Sequence, residues 1–204
     1  LESAYPYALQ PKSETEKKIE QATGSRLAQV RGDWFVAAAA HPPLYHEILE
    51  LPNTDAELEK LLRVDVESNL NDGFALRAGF NNSGVSQNNR MIERHDSAYG
   101  AYWKSYDFSG NSGRKNLFAH PLGPDGEDAF EHDGGELIFN LPNGLQAYLL
   151  IDAAGDRIDK GPVDIVSDPQ RPDRSVINGL SCMSCHTAGM IPKADQVRAS
   201  VERN

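Results

Sequence analysis

The chain of 204 residues has only two cysteines, three methionines and two tryptophans. Two cysteines are too few for the disulfide framework that staples small secreted domains. Basic residues are scarce beside acidic ones, 20 against 30, so the formal net charge is −10 and the isoelectric point about 5.0. Such a surface repels polyanions, which argues against nucleic acid or an anionic membrane as partner. Long apolar runs are missing as well. A membrane-spanning helix needs ~20 mostly apolar residues, whereas the stretch Phe35 to Ala40 ends at His41-Pro42-Pro43. Leu1-Glu2-Ser3 has neither the basic start nor the apolar core of a signal peptide. No glycine-rich phosphate cradle, nucleophile elbow, internal repeat or low-complexity tract is found. A hydrophobic fraction of 39% still allows a real core, though a lean one.

The two cysteines stand together, in Cys182-Met183-Ser184-Cys185-His186. This is the C-x-x-C-H pattern of covalent haem attachment. Two thiols one helical turn apart reach the two vinyl groups of one haem and form thioethers. The next residue then offers its imidazole to the iron as the proximal ligand. The expected cofactor is one covalent haem c, bound by Cys182, Cys185 and His186, with Met183 and Ser184 inside the attachment loop. Two rivals use the same residues. A thioredoxin-like couple opens a helix after a strand in a βαβ unit, and Val176-Ile177-Asn178-Gly179 is a weak strand with no such unit around it. Structural zinc needs a second pair of Cys or His ligands, and the remaining histidines are scattered singly.

The motif resembles the haem site of bacterial c-type cytochromes. That resemblance implies an exported protein, periplasmic or on the cell surface, because thioether attachment in bacteria takes place outside the cytoplasmic membrane. A leader is then expected to have been removed or to lie outside this sequence, and the abrupt ends at Leu1 and Asn204 suggest a piece of a longer protein. It also implies electron transfer, with the acidic surface guiding a redox partner that carries a basic docking patch.

Along the chain, residues 1–65 read as helical. Ser13-Glu14-Thr15-Glu16 and Thr54-Asp55-Ala56-Glu57 have the form of capping boxes, the second leading into Leu58, Leu61 and Leu62. Leu44 to Leu51 forms a short amphipathic segment. From Val66 to Arg90 the chain is rich in Asn, Gly and Ser and reads as a long loop. Residues 98–160 read as an antiparallel sheet. Ala98 to Phe108 sets Tyr102, Lys104, Tyr106 and Phe108 on one side of a strand and Trp103 on the other. Leu117 to His120 reads as another short strand. Glu136–Leu141 and Leu145–Ile151 flank Pro142-Asn143-Gly144, a hairpin pattern, and a further strand is expected at Arg157-Ile158-Asp159. Residues 176–204 form the attachment segment, with Pro192 near the start of a last helix over Ala194–Glu202. The dense acidic run from Asp125 to Asp133 reads as a solvated loop. The expected fold is α+β: N-terminal helices, a central antiparallel sheet and a C-terminal helical segment bearing the haem, in one domain.

The distal side of the iron is the open question in the sequence. Met190 follows His186 by four residues and lies on the same side, as does Met183. A distal ligand must therefore come from upstream, where His41, His46, Met91, His95, His120 and His132 are available. His95, His120 and His132 are the main candidates, from their spacing to the strands. The other expectation is an open site, at which the haem protein binds or reacts with a small molecule such as nitric oxide, peroxide or hydroxylamine, as sensor or oxidoreductase. A C-terminal C-x-x-C-H after an antiparallel sheet is similar in layout to the β-sheet c-type cytochromes that bind nitric oxide or oxidise hydroxylamine. That likeness implies an additional bond to the haem from a lysine, for which Lys104 is the candidate here. A third reading makes the hairpin a docking surface and the haem a folding staple.

Overall fold

The computed structural model describes residues 13–24 and 32–203. The chain forms two compact units, Leu1–Ala40 and His41–Asn204. Among the described residues the first contains two helices, α1 (Ser13–Thr23) and α2 (Gly32–Ala39). The Ser13 and Glu16 side chains of the first capping box lie outside what is described.

The second unit opens with three short helices, α3 (Leu44–Ile48), α4 (Asp55–Leu62) and α5 (Val66–Asn71). The strands follow: β1 (Leu76–Asn81), β2 (Asn89–Ser97), β3 (Gly100–Asp107), β4 (Gly134–Asn140), β5 (Gln146–Asp152) and β6 (Arg157–Ile158). They form one antiparallel sheet whose spatial order is the chain order. A two-stranded ribbon, β7 (Lys160–Gly161) with β8 (Val176–Ile177), leads to α6 (Leu180–Cys185) and α7 (Gln196–Val201). The fold is α+β.

Local chemistry sets these boundaries. Thr54 Oγ1 accepts from the Glu57 amide at 3.2 Å, and the Glu57 carboxylate accepts from the Asn53 amide at 3.0 Å. This satisfies the Glu57 amide, which the start of α4 would leave orphaned, and ties the residue before the cap to the first turn. Arg63, in the left-handed region at φ 57°, ends the helix. Alternation then divides the sheet into two faces. Tyr102, Leu137, Phe139 and Leu149 pack with Leu58, Leu62 and Val64 on one side. Trp103, Ile138, Tyr148 and Leu150 face the other way, toward Cys182, Met190, Ile165 and Val176. Burial on both faces accounts for the near-continuous apolar run of β5.

Three sequence readings change. The stretch Val66–Arg90 is not one loop: it holds α5, β1 and the start of β2. Asp65 caps α5 by accepting from the Ser68 amide at 2.9 Å, and loop geometry is confined to the connections. Leu117–His120 is a turn, because the amides of Ala119 and His120 both donate to the Asn116 carbonyl. Asp195, not Pro192, opens the last helix, accepting from the Arg198 amide at 3.0 Å. The hairpin β4–β5 and strand β3 match the sequence pattern.

Candidate haem-attachment site

The attachment segment is braced on both sides. Ahead of it, β8 pairs with β7, and the Asn178 amide donates to the Asp159 carbonyl at 2.9 Å. Gly179 follows at φ 80°, ψ −65°, backbone that side chains with a Cβ rarely adopt. Its missing side chain makes room for the Tyr45 ring, and Tyr45 donates through its hydroxyl to the Tyr148 carbonyl and accepts from the Tyr148 amide. Ser181 Oγ accepts from the Ile177 amide and donates to buried Asp168, both at 3.1 Å. The Asn178 side-chain amide donates to His46 Nε2 at 2.8 Å. A buried polar frame thus fixes where α6 starts and how it is rotated.

That rotation decides the site. Cys182, Ser184, Cys185 and His186 all line one cleft of about 370 Å³. Met183 is exposed and turned away from it. The opposite wall is the second sheet face, with Ile92, Trp103, Ser105, Glu136, Ile138 and Leu150. The volume and apolar walls are those of a small-molecule or cofactor pocket. His186 Nδ1 lies 3.1 Å from the Gly189 carbonyl oxygen. A carbonyl only accepts, so Nδ1 carries the proton and Nε2 keeps its lone pair. A bond of this kind orients an imidazole for a metal. Tyr148 lies against the ring, with centroids 5.9 Å apart.

The residues fit a covalently held haem. Two thiols one turn apart and an imidazole with Nε2 available border the same largely apolar cleft. The rivals fit less well. Both cysteines are free thiols. Burial, with the Glu136 carboxylate and a hydrogen bond to it, pushes the Cys182 thiol well up; burial also raises that of Cys185. A dithiol redox couple needs a depressed thiol instead. Among the described residues no group of three or more His, Cys, Asp or Glu is arranged to hold a metal ion, which leaves a zinc site without its ligand set.

The sequence reading missed the charged floor of the cleft. Arg90 and Asp107 are register partners on β2 and β3, paired through the Arg90 Nε and Nη2. Glu136 lies 3.7 Å from Arg90 Nη1, and its amide donates to Ser105 Oγ at 2.8 Å. The signal was present: with Leu137 and Phe139 facing the helices, Glu136 and Ile138 must face the other way.

None of the three main distal candidates lines the cleft. His95 is buried with Glu93 and Asn69, each at 3.3 Å, and its ring neighbours Tyr102 on the helix side of the sheet. His132 stacks edge-on against Tyr106. His120 Nδ1 bonds to the Asp128 carbonyl. Of the lesser candidates, His46 supports the frame and Met91 packs with Tyr106 and Phe108. Lys104 is neither solvent-facing nor near the motif: Nζ lies 2.8 Å from Asp55 and 2.9 Å from Glu59, again on the helix side. The strand alternation that sorted Tyr102, Lys104 and Tyr106 from Trp103 also separates them from the cleft.

Among the described residues no helix is long and apolar enough to cross a membrane. Comparison with known protein families, characterised proteins and solved structures finds no match to this chain.

Proposed function

We propose that the chain is a c-type cytochrome domain that holds one haem covalently in this cleft and works by one-electron exchange. The observation that carries the reading is the convergence of Cys182, Cys185 and His186 on a single cleft, with His186 Nδ1 engaged by Gly189 and Nε2 left to bind iron. When bound, the haem supplies the redox chemistry. The chain holds it through two sulfurs, orients the imidazole and keeps the apolar walls against the ring. Exposure of Met183 and Ser184 on α6 places the attachment helix at the surface, which suits exchange with a partner. The net charge of −10 favours a partner with a basic patch. Covalent attachment assigns the domain to the periplasm or cell surface of a bacterium.

A second reading keeps the haem and gives it an open iron that binds a small molecule. It is favoured by one observation: among the described residues His186 is the only histidine lining the cleft. Maturation in a host competent for c-type cytochromes tests the first point. The expected product is coloured, and its mass exceeds that of the polypeptide by one haem after denaturation. Cys182→Ser and Cys185→Ser each remove one thioether. Colourless protein with the bare polypeptide mass overturns both readings. Carbon monoxide separates them: a reduced spectrum indifferent to the gas supports the electron carrier, and an immediate shift supports the open iron.

A further inference from the structure

Five charged side chains line the cleft: Arg90, Asp107, Glu136, Asp168 and Lys193. The first four are engaged inside it. Arg90 holds Asp107 through Nε and Nη2 and has Glu136 3.7 Å from Nη1. Asp168 is buried and accepts from Ser181 Oγ and from the Gln170 amide. Three carboxylates against one guanidinium leave the interior negative. Lys193 is different. It is exposed at the rim, and its ammonium donates to the Asn82 carbonyl at 3.0 Å. Among the described residues no carboxylate pairs with it. Asp195, two residues on, is engaged elsewhere: it accepts from the Gly79 and Arg198 amides and lies 3.3 Å from Arg198 Nε. The segment that carries Lys193 is fastened at both ends. It turns at Gly189, whose amide donates to the His186 carbonyl at 3.0 Å, and it is pinned again where Asp195 and Gln196 hold the β1 edge. The Asn82 contact ties it to the β1–β2 turn, whose Ser83 and Gly84 also border the cleft. A cation without an anionic partner is therefore held at the edge of a cofactor-sized cleft.

From this arrangement we infer that Lys193 is the recognition point for a carboxylate on the cofactor's edge, so that the cleft takes a flat apolar ring with its acidic groups turned to the rim. The inference rests on the haem reading above and adds the ring's orientation to it. The physical argument is where a ligand carboxylate is tolerated. Pushed inward, it would lose its water and meet the negative charge of Asp107, Glu136 and Asp168. Turned outward, it keeps much of its water and gains an ammonium whose present partner is only a backbone carbonyl. Protoporphyrin suits this division, since its two carboxylates stand on the edge opposite its two vinyl groups. The thiols of α6 and the ammonium of Lys193 thus call for different edges of the same ring.

Metal-free protoporphyrin IX and its dimethyl ester, added to the full chain before haem loading, test this without iron. Trp103 lines the cleft, so saturable quenching of its emission reads occupancy. At low ionic strength Lys193→Gln should weaken binding of the diacid about fivefold, the scale of an exposed ion pair, and should leave binding of the diester unchanged. Lys193→Arg should keep the wild-type affinity. Salt at about 1 M should erase the difference between wild type and Lys193→Gln. Equal affinity of wild type and Lys193→Gln for the diacid overturns the inference. So does an equal loss for both porphyrins, which would make Lys193 a brace of the cleft wall and nothing more. In both cases the haem reading stands, because the ring still binds and covalent haem is counted separately by mass. Binding of neither porphyrin overturns the inference and the haem reading of the cleft together.

Discussion

The ring of Tyr45 occupies the space that a side chain at Gly179 would need: a Cβ built there comes within 2.8 Å of the ring. The contact joins the first helix of the second unit to the residue that turns the chain into the attachment helix. Gly179 also holds φ 80°. Gly179→Ala should therefore combine backbone strain with overpacking, each about 1–3 kcal/mol. The expected outcome is a melting temperature several degrees lower and a reduced yield of haem-loaded protein. Tyr45→Phe keeps the ring, loses the hydroxyl bridge to Tyr148, and should cost only about 1–2 kcal/mol. Thermal unfolding of the two variants beside wild type checks the ranking; a Gly179→Ala variant as stable as wild type contradicts the close packing.

The histidines make a sharper test of how the sheet is sorted. His95 belongs to a buried cluster in which Glu93 contacts Arg77 at 2.7 Å, Tyr106 Oη at 3.2 Å and His95 at 3.3 Å. Removing the imidazole leaves Glu93 and Asn69 short of partners, at about 1–3 kcal/mol. It should not alter the optical spectrum, because the residue lies on the face away from the motif. His120→Ala and His132→Ala should likewise leave the spectrum as it is. Absorption spectra of the oxidised and reduced variants decide this, and loss of a low-spin spectrum in any one of them would identify that histidine as the iron's sixth ligand.

Much of this arrangement could be read from the residues, and the part that could not has a physical cause. The hairpin announced itself because Asn143-Gly144 stands between two apolar strands, and Gly144 does take φ 82°. β3 was legible from strict alternation. β1 and β2 were not, because Arg77, Arg90, Glu93 and Arg94 carry charges that resemble a surface. Those charges are satisfied within the sheet, as in Arg77–Glu93 and Arg90–Asp107, and a single sequence does not show pairing across strands. The motif residues were evident from spacing alone. Glu136 follows from the alternation of β4, since Leu137 and Phe139 on either side of Ile138 face the helices.

His46, which is buried, and His132, which is partly buried, give the second unit a defined acid sensitivity. Burial lowers the His46 pKa, assisted by Arg157 and opposed by Asp159; burial and then Lys104 lower that of His132, opposed by nearby aspartates. Both rings are neutral when folded, whereas in the unfolded chain they take a proton near pH 6.5. Their stabilising contribution is complete above that pH and is lost as pH falls toward and through the lowered folded values. The melting temperature should therefore drop between pH 7 and pH 5, before most carboxylates titrate. His46→Gln keeps an acceptor for Asn178 without the titration. The His46→Gln, His132→Gln double variant should show a visibly flatter profile over that interval, and an unchanged slope would exclude these two groups as its source.

The free edge of the sheet is covered by a device small enough to remove. On β1 the Gly79 amide donates to Asp195 Oδ1 at 3.2 Å and the Asn81 amide to Gln196 Oε1 at 3.1 Å. The same Asp195 oxygen caps α7 through the Arg198 amide. Val197 packs over Gly79, where a Cβ would come within 2.5 Å of its side chain. One carboxylate thus ends a helix and blocks a strand edge that would otherwise pair with another chain. Asp195→Ala removes both functions. It should cost about 1–2 kcal/mol as a lost cap and, unlike an ordinary cap mutation, should promote concentration-dependent association. Asp195→Asn preserves an acceptor oxygen and should remain monodisperse. Unfolding curves read the first effect and light scattering across a concentration series the second. Equal scattering from the Asp195→Ala and wild-type proteins would show that Val197 and Gln196 suffice to protect the edge.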